Sequence, residues 1–490
     1  MSVFYKQKRN VFIRIYDEVG YIINKSNLKS KITNKTGAVF LKSLSREPQL
    51  FSDLVKIISN SFSRVEIDVL TKDVKEFFGY LEEEGFIVSG ETMLELENKD
   101  VSFSYLNESI LDNSINKEIN NSNFADDKTD NLENYFKNNS ILIRVHIELT
   151  NRCNERCIHC YIPHECKNTD ISKETFYNIL QQCKKMGVLK LSLSGGEPLS
   201  HPHFIDFVKA AKEDDFSVNI LSNLTLLTDE LVDVLKSGSV SSIQTSLYSL
   251  DPEIHDFITK VKGSCEKTKA AIIKLIENDI PVQISCPIMK VNKHCFTDVF
   301  NWASERKIKA VTDYIMMARF DNSVSNLDYR LSYDDVECLI RNNININNDY
   351  KDKIMNSDYS VAFERDTSCD RLCSACTTSI AINSKGDVHP CAGWQSYVCG
   401  NINEESLEEI WNTSSKIKYI RNLRKKDFPK CIKCPNRLFC IICMARNANE
   451  DPHANPLNIS EYSCRIAEIN KKTVFSFIEE NVQESIPNSV

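Results

Sequence analysis

Cysteine is absent from the first 150 residues and then occurs nineteen times in the remainder of the chain. In an extracellular protein that number would indicate a disulfide framework. The N-terminal stretch MSVFYKQKRN, however, lacks the apolar core of a secretion signal. No run of about eighteen apolar residues occurs either, which argues against a membrane-spanning helix. A cytoplasmic location is expected, and there clustered thiols point to metal rather than to cross-links. Excess positive charge is also lacking. A net charge of −8 offers nothing general to nucleic acid or anionic lipid. With 42% hydrophobic and 26% charged residues the chain reads as soluble protein, long enough for roughly two to four domains.

The most specific pattern present is Cys153-Asn154-Glu155-Arg156-Cys157-Ile158-His159-Cys160, directly after a strand-like run from Ile141 to Leu149. Three thiols at C-x3-C-x2-C spacing on one short loop can hold three corners of a [4Fe–4S] cube. The fourth iron is then left without a protein ligand, whereas structural clusters and zinc sites close their shell with four. A zinc knuckle or unligated thiols is the alternative on spacing alone. Strand-like and helix-like runs then alternate, as in parallel βα units. A helix capped by Ser172 runs to Met186 and ends at Gly187. A strand, Lys190 to Leu193, runs into Ser194-Gly195-Gly196-Glu197-Pro198. Glycines here are expected to let the backbone approach a ligand with unpaired peptide groups, while Glu197 offers an anion. Further strands are expected at Val218–Leu221, Ser242–Leu247, Val282–Ser285 and Ala310–Met316. Asn223 and Ser246, at strand ends, read either as ligand contacts or as partners of loop backbone. Cys183, Cys265, Cys286, Cys295 and Cys338 show no ligand spacing and read as buried or incidental thiols.

This C-x3-C-x2-C loop, followed at the next strand end by Gly-Gly-Glu-Pro, resembles the radical S-adenosylmethionine (SAM) superfamily, with His159 in the usually aromatic position. The resemblance implies an α/β fold, a partial (β/α)6 barrel over residues 140–330, with a [4Fe–4S] cluster on Cys153, Cys157 and Cys160. SAM would chelate the open iron, its methionine end held by Gly195, Gly196, Glu197 and Pro198, with Asn223 and Ser246 as further contacts. One-electron cleavage of SAM would yield a 5′-deoxyadenosyl radical. Members often carry an arginine after the segment matching His255 to Ile258. Thr259-Lys260 stands here, so that contact is unassigned.

Residues 366–466 hold a second field: Cys369, Cys373, Cys376, Cys391, Cys399, Cys431, Cys434, Cys440, Cys443 and Cys464. The segment from Cys376 to Cys391 reads as a hairpin turning at Gly386. C-x9-G-x4-C, then C-x2-C-x5-C-x2-C, then Cys464 resembles the SPASM extension of radical SAM enzymes, although its usual last gap is three residues. The resemblance implies one auxiliary [4Fe–4S] cluster on Cys376, Cys391, Cys443 and either Cys369 or Cys373. A second would use Cys431, Cys434, Cys440 and Cys464. Zinc ribbons are the alternative. Sulfatase-maturing members of this group place an aspartate base after the cysteine matching Cys391. Here Ala392 takes that place, which disfavours that activity.

Residues 1–92 read as a hairpin turning around Gly20, helices over 36–45, 50–62 and 67–84, and a strand at Phe86–Val88. "GYIIN", "NKTGAVFL" and "FFGYLEEEGFIVSG" make this module resemble a winged helix, and more closely the peptide-binding chaperone domain of pyrroloquinoline-quinone biosynthesis. That implies capture of a precursor's leader peptide by β-augmentation. DNA binding is disfavoured by Glu66, Asp68, Asp73, Glu76 and Glu82 to Glu84 on the third helix; a regulatory or packing role is the bland alternative. Residues 93–139 read as a polar linker, 331–365 as a bridge and 467–490 as a terminal helix or tail. Together these imply an enzyme that matures a ribosomally made peptide, by cysteine-sulfur-to-carbon thioether formation in the first instance. Carbon–carbon or ether cross-linking and epimerisation are rivals within the class. The expected partners are a precursor peptide and a flavodoxin or ferredoxin, with neither nucleic acid nor membrane. An iron–sulfur regulator is the reading from another class.

Overall fold

The structure, a computed structural model, describes residues 3–16, 19–24, 29–63, 65–100, 135–163, 165, 168–236 and 240–484. The chain divides into two compact units, Met1–Asn139 and Ser140–Val490.

The first unit has strands β1 (Phe4–Gln7), β2 (Val11–Tyr16), β3 (Val19–Asn24), β4 (Ser30–Thr33), β5 (Gln49–Leu50) and β6 (Ile87–Gly90). They form two antiparallel sheets, ordered β5–β1–β6 and β2–β3–β4, so β4 is an edge strand. Helices Lys35–Ser43, Phe51–Ser59 and Ile67–Glu83 pack between them. Leu70, Val74, Phe78 and Leu81, spaced three to four apart on the third helix, bury against Leu54, Ile58, Phe40 and Leu41. Gly20 lies inside β3, paired with Ile15, and is not the turn. Its missing side chain admits the first helix, because a Cβ would meet Thr33, Leu41 and Ala38 closer than 3.0 Å. The expected linker also begins too early. Met93–Lys99 is a helix capped by Thr92, and Asp100 at its end is tied to β1 by a buried ion pair to Lys6 at 2.7 Å. Most of the polar stretch lies outside the described residues.

The second unit is built on one nine-stranded sheet. Its strands are β7 (Arg144–Thr150), β8 (Lys190–Gly195), β9 (Ser217–Leu221), β10 (Val240–Ser246), β11 (Val282–Pro287), β12 (Lys309–Asp313), β13 (Ser379–Ile382), β14 (Asp387–His389) and β15 (Gly400–Asn401). The order is β12–β11–β10–β9–β8–β7–β13–β14–β15. Strands β7 to β12 are all parallel. Each is joined to the next through one or more helices, the βα arrangement expected for a partial barrel. Alternation along the strands has two faces. Val145, Ile147, Leu191, Leu193, Val218, Ile220, Ile243 and Ile284 enter the core under the helices. The register aligns their polar neighbours into rungs: His146 beside Ser192 and Asn219, Gln244 beside Gln283, Ser246 beside Ser285. A packed barrel interior would be branched and apolar. This polar, half-buried face is a lining.

The second cysteine field is stitched directly to the barrel. β13 pairs in parallel with β7, Ser379 against Arg144 through Ile382 against Ile147, and turns through Gly386 (φ +87°) into β14. The bridge forms helices Tyr333–Ile346, Asn348–Met355 and Tyr359–Glu364. The terminal helix spans Glu461–Glu484, so the expected boundary at 467 falls inside it and Cys464 rides on its first turn. Phe176, on the helix Lys173–Lys185, stacks on Phe207 at 4.0 Å, and both are fully buried behind β7 and β8. Phe176→Ala is expected to destabilise this unit by about 3–5 kcal/mol in denaturant titration, the usual cost of an aromatic cavity.

Candidate active site

The six parallel strands end at one rim, and the rim begins with the cysteine loop. Its backbone is anchored to the end of helix Pro252–Thr259: the Arg156 amide donates to the Thr259 carbonyl (2.9 Å) and the Ile158 amide to that of Ile258 (3.0 Å). Ile158 then packs with Ile258, Tyr248, Met289 and Met316. Cys153, Cys157 and Cys160 are all partly accessible. Burial, then Glu155, Cys160 and Cys153, push the Cys157 thiol well up. A cationic iron centre would relieve the cost of ionising Cys157. Tyr248 closes the loop from β10. It is fully buried, its hydroxyl 2.9 Å from His159 Nε2 and 4.0 Å from Cys157 Sγ. Only its position two residues beyond Ser246 could have signalled this role.

The Gly-Gly-Glu-Pro turn has a different logic from the one expected. At Gly195 (φ +143°) a Cβ would overlap the Thr150 carbonyl, and at Gly196 that of Arg152. The Gly196 and Glu197 amides are not unpaired: they donate to the Thr150 (2.7 Å) and Arg152 (2.8 Å) carbonyls. These glycines let the end of β8 lie on the root of the cysteine loop. Glu197 is fully buried and offers no free anion, since it accepts from Ser222 Oγ (2.7 Å), the Asn223 amide (2.7 Å) and the Leu199 amide (3.0 Å). Burial pushes its carboxyl up to about 7. Pro198 opens the short helix that follows. Asn223 is brought to the cysteine loop, its Nδ2 donating to Asn154 Oδ1 (2.9 Å), while its Oδ1 accepts from the Thr225 amide (3.0 Å). Ser246 lies on the polar lining and bonds to Tyr248. Where arginine is usual, Thr259 is buried and Lys260 lies over the Phe257 ring.

One lining residue was missed by the sequence reading. Glu148, on β7 two residues after His146, is 2% exposed. Its oxygens accept from Gln395 Nε2 at 2.7 and 2.8 Å, and the Tyr161 hydroxyl also donates to it. Tyr161 follows Cys160, and Gln395 lies four residues past Cys391. The carboxylate therefore joins the two cysteine fields at the barrel mouth. Among the described residues it has no cationic partner, and burial lifts its carboxyl to about 7.

In the second field the thiols fall into neighbouring sets. Cys391 is perturbed by Cys443 and Cys373, and Cys373 by Cys443, which groups these three. Cys376 is fully buried, bonds to Cys399 and also lies within electrostatic reach of Cys391. Its left-handed backbone (φ +56°) and its amide bond to the Ser379 carbonyl turn it into β13. It is a core thiol first. Cys369 is exposed. Cys431, Cys434, Cys440 and Cys464 lie within electrostatic reach of others in the same set. Among the described residues no three His, Cys, Asp or Glu side chains converge on one ion.

Residues 147–303 match the model of the radical SAM superfamily, and residues 373–435 that of the SPASM iron–sulfur cluster-binding domain. The AdoMet-dependent heme synthase of Methanosarcina barkeri is 28% identical over 320 residues, 61% of this chain and 90% of that protein. The antilisterial bacteriocin subtilosin biosynthesis protein AlbA of Bacillus subtilis is 26% identical over 312 residues, 62% of this chain and 68% of that one. The crystal structure of Streptococcus suis SuiB bound to its precursor peptide SuiA superposes with a TM-score of 0.58 at 18% identity, over 94% of this chain and 99% of that one.

Two outcomes are expected. Burial favours the protonated Glu148 carboxyl in the folded state, so its contribution to stability is full below about pH 4.5 and lost as pH rises through about 7. That is worth about 3 kcal/mol. Glu148→Gln should flatten the fall in stability from pH 4.5 to 7, read by urea denaturation against the parent. Gly196→Ala should lower the iron retained on the first three cysteines, measured as iron per chain in a protein whose second cysteine field is replaced by serine.

The matched domains and the thiol sets agree: the chain carries a radical SAM domain that binds SAM and a [4Fe–4S] cluster, followed by a SPASM domain that binds auxiliary iron–sulfur clusters, and it is an enzyme homologous to peptide-modifying radical SAM enzymes.

Proposed function

We propose that this enzyme matures a ribosomally made precursor peptide by joining a cysteine sulfur to a carbon of the same peptide. The observation that supports the reading is the grouping of Cys373, Cys391 and Cys443, with Cys376 near Cys391 but bonded to Cys399. Three ligands suit an iron–sulfur centre that accepts one more thiolate, and a substrate cysteine is the natural fourth. When bound, SAM and its cluster supply the one-electron chemistry that removes a hydrogen atom from the peptide. Glu148 and Gln395 hold the barrel mouth together between the two cysteine fields. Tyr248 and His159 wall off Cys157, and the polar lining of β7 to β11 offers hydrogen bonds to an extended peptide. Ala392 supplies no acid or base; its carbonyl accepts from Gln395 at 3.3 Å.

The first unit supports the same reading. β4 is an edge strand beside helix Ile67–Glu83, where Lys31 reaches the Tyr80 ring and Glu84. A leader peptide can extend such an edge through main-chain hydrogen bonds. The acidic side chains of that helix repel phosphates, so a nucleic acid fits less well.

The test incubates reconstituted enzyme, SAM and reductant with a Cys-containing precursor peptide. Loss of two hydrogens with blocked thiols is expected; unchanged mass with deuterium uptake from solvent would replace thioether formation by epimerisation. Cys391→Ser should abolish the cross-link, whereas Cys376→Ser should keep at least a tenth of it.

A further inference from the structure

Residues 414–446 contain ten Lys and Arg and a single acid, Asp427, in a chain whose net charge is −8. Asp427 is spent internally, accepting from the Arg424 amide at 2.8 Å. This segment carries three of the four thiols grouped as Cys431, Cys434, Cys440 and Cys464. Lys430 acts on Cys464 and Arg446 on Cys440. Lys426, Lys430 and Lys433 are exposed and form no ion pair among the described residues. Cys464 is itself exposed. Amid this charge Ile441 is 80% exposed, one residue from Cys440 and two from Cys443. The acids at the margin are Asp370, paired with Lys425 at 3.4 Å, Glu461, beside Cys464, and Glu468, paired with Arg465 at 2.6 Å.

We infer that this face docks an acidic one-electron carrier protein of the ferredoxin class. The inference rests on the reading of these four thiols as ligands of an auxiliary cluster. Uncompensated lysines around a redox centre near the surface raise the encounter rate of an acidic partner. Bare Ile441 gives the encounter an apolar centre to desolvate. Single-stranded nucleic acid would want stacking aromatics here. Of the three aromatics in 414–446, Phe428 is buried, Phe439 is stacked on Tyr359, and Tyr419 alone is exposed. In the exchange one electron leaves the reduced ferredoxin and enters the enzyme's iron–sulfur centre; no bond forms and no proton moves.

The experiment uses the fully reconstituted enzyme and an acidic [2Fe–2S] ferredoxin as probe. Lys426→Glu/Lys433→Glu should weaken binding about tenfold at low salt and flatten its salt dependence. Electron transfer from reduced ferredoxin should slow by a similar factor, while dithionite-supported SAM cleavage stays unchanged. Unchanged binding would overturn the docking surface. So would an equal loss in the control Lys72→Glu/Lys75→Glu on the first unit, or tighter binding of an RNA oligonucleotide than of ferredoxin. Iron content separates the two layers. If Cys434→Ala keeps its full iron, the reading of the four thiols fails; a full complement of iron without docking sinks the surface alone.

Discussion

Everything at the barrel rim depends on how closely β8 approaches the root of the cysteine loop. Where Gly195 and Gly196 cross Thr150 and Arg152, backbone lies on backbone and no Cβ fits. Two amide-to-carbonyl bonds fasten the crossing, and Glu197 extends it by taking donors from the end of β9. Asn223 returns the connection to Asn154 within the cysteine loop. Three consecutive strand ends are thereby locked to the loop that carries Cys153, Cys157 and Cys160. The loop inherits its shape from the sheet, as a site that must hold three sulfurs in register requires.

The second dependence runs sideways. Because β13 continues the barrel sheet past β7, the SPASM hairpin shares the register of the strand that delivers the cysteine loop. Gln395 then reaches back to Glu148 on that strand. A buried carboxylate served by neutral donors costs desolvation energy, which Gln395 and Tyr161 offset in part. Here it links the strand that delivers the first cysteine loop to Gln395, four residues past Cys391.

Much of this was legible beforehand. The six barrel strands, the helix from Ser172 to Gly187 and the hairpin at Gly386 follow from period and caps, which are local signals. The grouping of Cys431, Cys434 and Cys440 with distant Cys464 is implied only by the family resemblance. What could not be read is what non-local packing decides. Gly20 looks like a turn residue, but it makes room for a helix more than ten residues away. Gly195 and Gly196 look like a ligand cradle, but their first neighbour is the chain's own backbone. Glu148 sits in an ordinary-looking strand, and its partner lies 247 residues on. The run from 93 to 100 is polar enough to pass for linker, yet Lys6 and Asp100 pair across it.

Cys373 and Cys376 show the limit most clearly. Both precede Gly386 at a spacing that a hairpin can bridge, so counting residues cannot choose between them. Backbone conformation does. Cys376 takes a left-handed conformation that other residues adopt at a cost of about 1 kcal/mol or more, and in return its side chain enters the core beside Cys399. The strand that follows must then start at Ser379, in register with Arg144, and Cys373 is left on the side of Cys391 and Cys443. The way β13 joins the barrel thus sets one thiol in the core beside Cys399 and the other beside Cys391 and Cys443.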